Sequence, residues 1–433
     1  MQYFSTNNKT IETDFRQATV QGQPSDKGLY FPERIPQLPE DFIKNINTYS
    51  KEEIAFEVIK PYVGNTIDGA SLKKIVDETV FFDFPLVKIS DSTSALELFH
   101  GPTLAFKDVG ARFMSRCLSH FAKDEKRRIT VLVATSGDTG GAVADAFYGV
   151  ENIDVIILYP SGKVSDVQEL QLTTLGKNIT ALEIEGSFDD CQRMVKDAFA
   201  DKRLNEQLYL TSANSINVAR WLPQQFYYFY AYQQWQAEEA PVISVPSGNF
   251  GNICAGLMAY SSGLPVEHFV AACNANDVIP AYLASGNYQT KSAVYTLSNA
   301  MDVGNPSNFV RILEIFNRQL PSLKKVLSSY SITDEETIAA IKEVKANHDY
   351  LLDPHGAVGY VALQRYLKEH TNQKGYLLET AHPVKFNTEE FTGQKVDVPS
   401  SIQHLLKKEQ KSIRMKADEK ELKSFLLGKE TLA

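Results

Sequence analysis

Apolar residues follow two rhythms along this chain. Short, largely apolar runs recur at residues 129–134, 154–159, 179–184, 241–245, 269–273 and 376–378. Runs of this length without polar alternation predict strands buried on both faces. Between them, residues 187–200, 217–236 and 333–346 space their apolar positions as amphipathic helices do. Strands alternating with helices predict an α/β fold built on parallel sheets with helices on both faces. Residues 1 to about 90 are different and mostly helical in pattern. Ser50-Lys-Glu-Glu53 is a capping box opening a helix through Val58 and Tyr62, and Ser71 is expected to cap a second around Ile75. The aromatic, proline-broken stretch Leu29-Tyr-Phe-Pro-Glu33 predicts a packed loop. The tail from about 403 to 426 alternates charge with leucine and predicts a solvated terminal helix.

Composition narrows the class. With 433 residues, 43% hydrophobic and 22% charged, the chain is globular and long enough for two or three domains. A net charge of −9 argues against nucleic acid or an anionic membrane as the main partner. The four cysteines, Cys117, Cys191, Cys254 and Cys273, lie scattered in apolar stretches, as buried reduced thiols in a cytoplasmic protein do. No secretory signal and no apolar run near the length of a membrane span is seen, so a cytoplasmic protein is expected. The eight histidines show no metal-ligand spacing, so no metal is expected. The aromatic cluster around Phe226 and Trp235 fits core packing better than a stacking platform.

Chemistry concentrates at His100-Gly-Pro-Thr-Leu-Ala-Phe-Lys107-Asp108. Apolar residues at Val109, Phe113, Cys117, Leu118 and Phe121 predict a helix directly after it, with Asp108 as N-cap. Lys107 then points near the positive end of a helix dipole, with Phe106 and Leu104 to exclude water. Both effects favour loss of its proton, and a free amine attacks carbonyls. Taken alone, the stretch fits a surface lysine that happens to precede a helix at least as well. Two further loops change the balance. Thr135-Ser-Gly-Asp-Thr-Gly-Gly141 and Ser247-Gly-Asn-Phe-Gly-Asn252 each join an apolar run to a helical one. Glycines there let a ligand approach the backbone, and bare N–H groups at a helix start suit a phosphate. The acid-free loop, 247–252, is the better phosphate cradle. An imine-forming lysine and a phosphate loop together point to pyridoxal phosphate, whose ring nitrogen needs a partner. Thr380, just past the run 375–379, is the right kind of residue for it.

These motifs, with Asn299-Ala-Met-Asp-Val-Gly-Asn-Pro-Ser-Asn308 and Thr380-Ala-His-Pro-Val-Lys-Phe386, together resemble the threonine synthase family, in its bacterial and fungal branch. The resemblance runs in consistent order from the N-terminus to about residue 390. It implies a fold type II pyridoxal-phosphate enzyme, tryptophan synthase β-like, with two open parallel-sheet α/β domains and a helical N-terminal domain. The expected division is 1–90 for the N-terminal domain, 91–105 with 226–390 for a large cofactor-binding domain, 106–225 for a small domain, and 391–433 for a C-terminal helical tail. The implied activity is conversion of O-phospho-L-homoserine and water to L-threonine and phosphate by β,γ-elimination and replacement, the last step of threonine biosynthesis.

Residue by residue, the resemblance implies that Lys107 bonds the cofactor and moves the protons. Gly248, Asn249, Phe250, Gly251 and Asn252 hold the cofactor's phosphate, and Thr380 its ring nitrogen. Many fold type II relatives carry Asn in the slot of Asp138, where it contacts the cofactor's 3′ oxygen; this chain has an acid there, which leaves the role of Asp138 open. Ser136, Asp138 and Thr139 are candidates for binding substrate, with Lys163 and Asn217 as weaker ones. His100 and His382 lie inside the motifs. A monomer or weak dimer is expected. Two alternatives stay open on the residues alone: a phospholyase that releases 2-oxobutyrate from the same substrate, and a non-catalytic cofactor- or nucleotide-binding sensor.

Overall fold

The computed structural model describes residues 1–433 except 124–126, 387, 394 and 429–433. Two parallel sheets dominate it. The larger has six strands in the order Leu327–Ser331, His268–Cys273, Val242–Pro246, Gly375–Glu379, Thr93–Glu97 and Leu86–Lys88. All are parallel to their neighbours except Leu86–Lys88, which runs antiparallel along one edge. The smaller has five parallel strands in the order Ile413–Lys416, Ile179–Glu185, Ile153–Pro160, Ile129–Ala134 and Tyr209–Ser212. All six predicted runs are strands. Ile129–Ala134 is buried at every position, as a strand with helices on both faces must be. The α/β architecture expected from the alternation is present.

The helices form where their ends are capped. Ser50, Ser187 and Thr333 each form a capping box, opening the helices Lys51–Val63, Phe188–Ala200 and Asp334–His348. The predicted helix 217–236 is instead broken into Val218–Trp221, a 3-10 turn Leu222–Gln225 and Phe226–Gln234. Pro223 interrupts it by removing a backbone donor. Its aromatic residues Phe226–Tyr230 are buried in the main core, the packing role expected of them.

Four local expectations are corrected. Ser71 does not cap the second helix: Gly69–Thr79 begins two residues earlier, and Asp68 accepts from the Ser71 N–H. Asp108 is not the N-cap of helix Lys107–Ala122. Phe106 stands there in a helical conformation, which gives no side chain the extended backbone that capping needs. Tyr30–Pro32 is no loop but the third strand of a small antiparallel sheet with Gln2–Ser5 and Glu12–Asp14. The tail is not one solvated helix either. Ile413–Lys416 adds a parallel strand to the edge of the smaller sheet, and helix Glu419–Gly428 buries Leu422 and Leu426 against that sheet's outer core.

Candidate active site

The loops that carry the motifs all leave the C-terminal ends of parallel strands, where open α/β sheets place their ligand crevice. Residues 100–107 follow Thr93–Glu97, the 247–252 loop follows Val242–Pro246, and Thr380 follows Gly375–Glu379. The 135–141 loop follows Ile129–Ala134 in the other sheet. Backbone bonds fasten the first of these to the third: Phe106 N donates to Thr380 O at 2.9 Å, and His382 N to Leu104 O at 3.1 Å. The Tyr227 hydroxyl donates to the Phe106 carbonyl. The loop that ends at Lys107 is therefore tied both to the segment after Gly375–Glu379 and to Tyr227.

Lys107 is the first residue of helix Lys107–Ala122, where the dipole disfavours a positive charge. Its Nζ lies 5.3 Å from the centre of the Phe106 ring. Desolvation pushes the amine below the usual lysine range. The Asp138 carboxylate opposes that, while Lys385 and Arg220 reinforce it. Asp108 turns back instead, accepting from the Thr103 N–H at 2.9 Å and from the Thr103 hydroxyl at 2.5 Å. Burial raises its carboxyl to about 6, against the opposing pull of these bonds.

The 247–252 loop is built so that backbone, not side chains, faces the crevice. Asn249 Nδ2 donates to Ser215 Oγ at 2.9 Å and its Oδ1 accepts from Ser307 N at 2.6 Å. Asn252 Nδ2 donates to Pro246 O at 2.7 Å. Phe250 adopts a left-handed backbone, φ 61°, at the start of helix Gly251–Ser261. A Cβ on Gly248 would stand 2.6 Å from Met301 Cα. What the loop can offer a phosphate is thus the unpaired N–H groups of a helix start. Thr380 is 6% exposed, and its hydroxyl has no hydrogen bond to any described residue, which leaves it free for a ring nitrogen. These features fit pyridoxal phosphate: an amine, an N–H-rich helix start and a lone hydroxyl at the C-terminal ends of three neighbouring strands.

In the 135–141 loop, Thr135 Oγ1 accepts from the N–H groups of Gly137 and Gly140 at 2.9 and 2.8 Å and so fixes the turn. Ser136 and Thr139 are partly exposed beside it. Asp138 is buried at the start of helix Asp138–Phe147, 2.8 Å from Lys385 Nζ and 2.9 Å from Gln168 Nε2. Burial alone would raise its carboxyl, but the Lys385 and Lys107 charges outweigh this and hold it well below the usual range. Lys163 is exposed beyond the end of Ile153–Pro160. Asn217 does not suit the expectation of a substrate contact. It is fully buried, caps Val218–Trp221, and spends both amide donors on Thr19 O and Ser212 O. His100 pairs with Glu97 at 2.7 Å, and His382 accepts from Val384 N.

Sequence reasoning missed Lys385, Thr135, Gln168 and Gln171. The last donates to Thr103 O at 3.0 Å, so one helix, Asp166–Thr173, steadies both the Asp138 loop and the loop before Lys107. A threonine just past a strand and before a glycine turn was the one available signal. The other three act through partners distant in sequence.

Open parallel sheets with a buried lysine and a glycine loop at the mouths of their strands are the build of a pyridoxal-phosphate-dependent enzyme of fold type II. Residues 94–378 match the family described as "Pyridoxal-phosphate dependent enzyme", residues 2–80 match "Threonine synthase N terminus", and residues 356–426 match "Threonine synthase, C-terminal". The chain is 43% identical to a threonine synthase of Serratia marcescens over 99% of each chain. Among solved structures, threonine synthase from Escherichia coli superposes with a TM-score of 0.93 at 40% identity, covering 99% of this chain and 100% of that one. The PLP-bound threonine synthase from Brucella melitensis gives 0.91 at 35% identity, covering 98% of each. The chain belongs to the threonine synthase family.

Proposed function

We propose that the protein converts O-phospho-L-homoserine and water to L-threonine and phosphate, with Lys107 as the catalytic base and acid. The observation that carries this reading is the desolvated Lys107 amine at a helix start, with a second helix start, Gly251–Ser261, following a strand of the same sheet, in a chain with full-length threonine synthase relatives. Pyridoxal phosphate, when bound, supplies an electron sink that acidifies the carbons next to the substrate's amine. The chain's residues do the rest. Lys107 takes the Cα proton, would hand it on to the bound cofactor, and as a neutral amine again takes a Cβ proton as the Cγ–O bond breaks to release phosphate. A proton returns to Cγ, water adds at Cβ and loses its own proton, and Lys107 restores the proton at Cα. General acid–base work of this kind contributes about 10²–10⁴ in rate. Gly248 to Asn252 hold the cofactor's phosphate, and Thr380 meets its ring nitrogen, so the ring nitrogen stays largely neutral. Ser136 and Thr139 face the substrate, with Lys163 at the rim able to meet an incoming anion. Residues from both sheets of one chain are assigned to the site, in keeping with a monomer or weak dimer, and the cytoplasm is its proposed compartment.

The test is incubation of the cofactor-loaded protein with O-phospho-L-homoserine, measuring phosphate, threonine and 2-oxobutyrate together. Equal phosphate and threonine is the expected result. Phosphate with 2-oxobutyrate would make it a phospholyase. The Lys107→Ala variant should lose visible cofactor absorbance and nearly all turnover, and normal turnover in it would sink the assignment.

A further inference from the structure

Lys385 has no place in the reaction as drawn, yet it is one of the most enclosed charged groups in the protein. Its side chain is 0% exposed and ends a 3-10 turn, Pro383–Lys385, a few residues after Thr380. Asp138, 4% exposed, is its ion-pair partner at 2.8 Å, and its Nζ makes no hydrogen bond of good geometry to any described residue. An isolated ammonium in such a place costs several kcal/mol, so a buried lysine with one partner calls for a reason. Its position supplies one. Asp138 comes from the smaller sheet and Lys385 from the larger, and both lie within electrostatic reach of Lys107.

We propose that Lys385 is a positioning residue that neutralises Asp138, so that the nitrogen of Lys107 faces a balanced ion pair and not a bare carboxylate. An unopposed Asp138 beside Lys107 would hold a proton on that nitrogen, whether free or bonded to the cofactor, and so block the base that the reaction needs. Lys385 lets an acid occupy the slot without that penalty. The charged groups that act on Lys107 are Asp138 from helix Asp138–Phe147, Lys385 from the 3-10 turn and Arg220 from helix Val218–Trp221. Asp108 and His382 in turn sense the Lys385 charge. The influence of Asp138 and Lys385 on Lys107 is opposite in sign, as the proposal requires.

This rests on Lys107 carrying the cofactor, and the experiment separates the two. Full-length cofactor-loaded protein is titrated with pH while its visible absorbance is followed; borohydride and mass spectrometry then locate the labelled residue. Lys385→Gln should raise the spectral midpoint by about 1–2 pH units, the size expected for losing one charge at close range in a medium of effective dielectric about 20. Asp138→Asn should lower it, the double variant should return it towards the starting value, and Lys385→Arg should leave it near that value. A midpoint unmoved or lowered in Lys385→Gln overturns the proposal. If that variant does not fold, Asp138→Asn decides: a raised or unmoved midpoint overturns it equally. Label on a residue other than Lys107 would overturn the cofactor reading itself, and the proposal with it.

Discussion

Replacing Gly248 by alanine should strip the cofactor from the protein without unfolding it. The added Cβ would stand 2.6 Å from Met301 Cα, 2.9 Å from Ala300 O and 3.2 Å from Met301 C, where ordinary contact begins at 3.4 Å. All three atoms are backbone, so no side chain can swing aside. One of the two loops must withdraw by about 0.8 Å, an overpacking cost of roughly 1–3 kcal/mol. The loop carrying Met301 is fixed from behind: Ala300 N donates to His355 Nε2 at 3.2 Å, and His355 Nδ1 pairs with the buried Asp353 at 2.6 Å. The phosphate loop therefore moves. A shift of about 0.8 Å stretches a hydrogen bond of about 2.9 Å past the useful limit. Losing one such bond to a phosphate costs about 1.5–3 kcal/mol, or about 10- to 100-fold in affinity. Titrating cofactor-free protein with pyridoxal phosphate and following visible absorbance reads this directly, and a urea melt of the same sample reports folding. A folded variant that binds cofactor within twofold of the parent would refute the steric argument and the placement of the phosphate at this loop.

Other substitutions probe the frame around the site. Gly356→Ala places a Cβ 1.5 Å from Glu379 Oε2, inside a fully buried pocket; a loss above about 3 kcal/mol in denaturant stability is expected, and a normal melt would contradict the packing. Arg311→Met removes donors to Tyr30 O, Ser215 O, Ile216 O and Asn308 Oδ1, together with a guanidinium 4.2 Å from the Trp221 ring. The orphaned acceptors outweigh the relief of a buried charge, for a net loss of about 2–4 kcal/mol by urea unfolding. His268 is held down to about 4 by burial, and next by His370, so the unfolded chain binds more protons than the folded one between about pH 6.5 and 4. Stability from this group is complete above that window and is lost as pH falls through it. His268→Gln should spare about 1–2 kcal/mol of acid destabilisation after allowance for partial exposure, and equal acid sensitivity in both proteins would count against it.

What the sequence disclosed followed from burial. Ile129–Ala134 and Val242–Pro246 were legible because both faces are covered, so every position is buried and nearly all are apolar. Ser50 and its Glu53 were legible because a capping box is complete within four residues. Ile413–Lys416 was not, because its edge strand buries only Met415 and its alternating Ile-Arg-Met-Lys looks like a charged helix. The motif order exposed Lys107 and the 247–252 loop, whose chemistry is local. Lys385 stayed hidden because its meaning lies in Asp138, on the other sheet. Asn217 misled for the reverse reason: a polar residue near glycine loops served the helix behind it.

That edge strand has a consequence for how the protein comes into being. Arg414 meets Glu183 across 231 positions of chain, so the strand Ile179–Glu185 is synthesised long before the segment that covers it. During that interval the smaller sheet presents a row of unpaired backbone groups, the surface on which strands of separate molecules join. The pairing is also among the slowest kinds to form, because a long loop must close before it gains anything. The nascent chain is thus most prone to association in the window between making Glu185 and releasing Lys416, and a holdase that shields a sheet edge would serve it there.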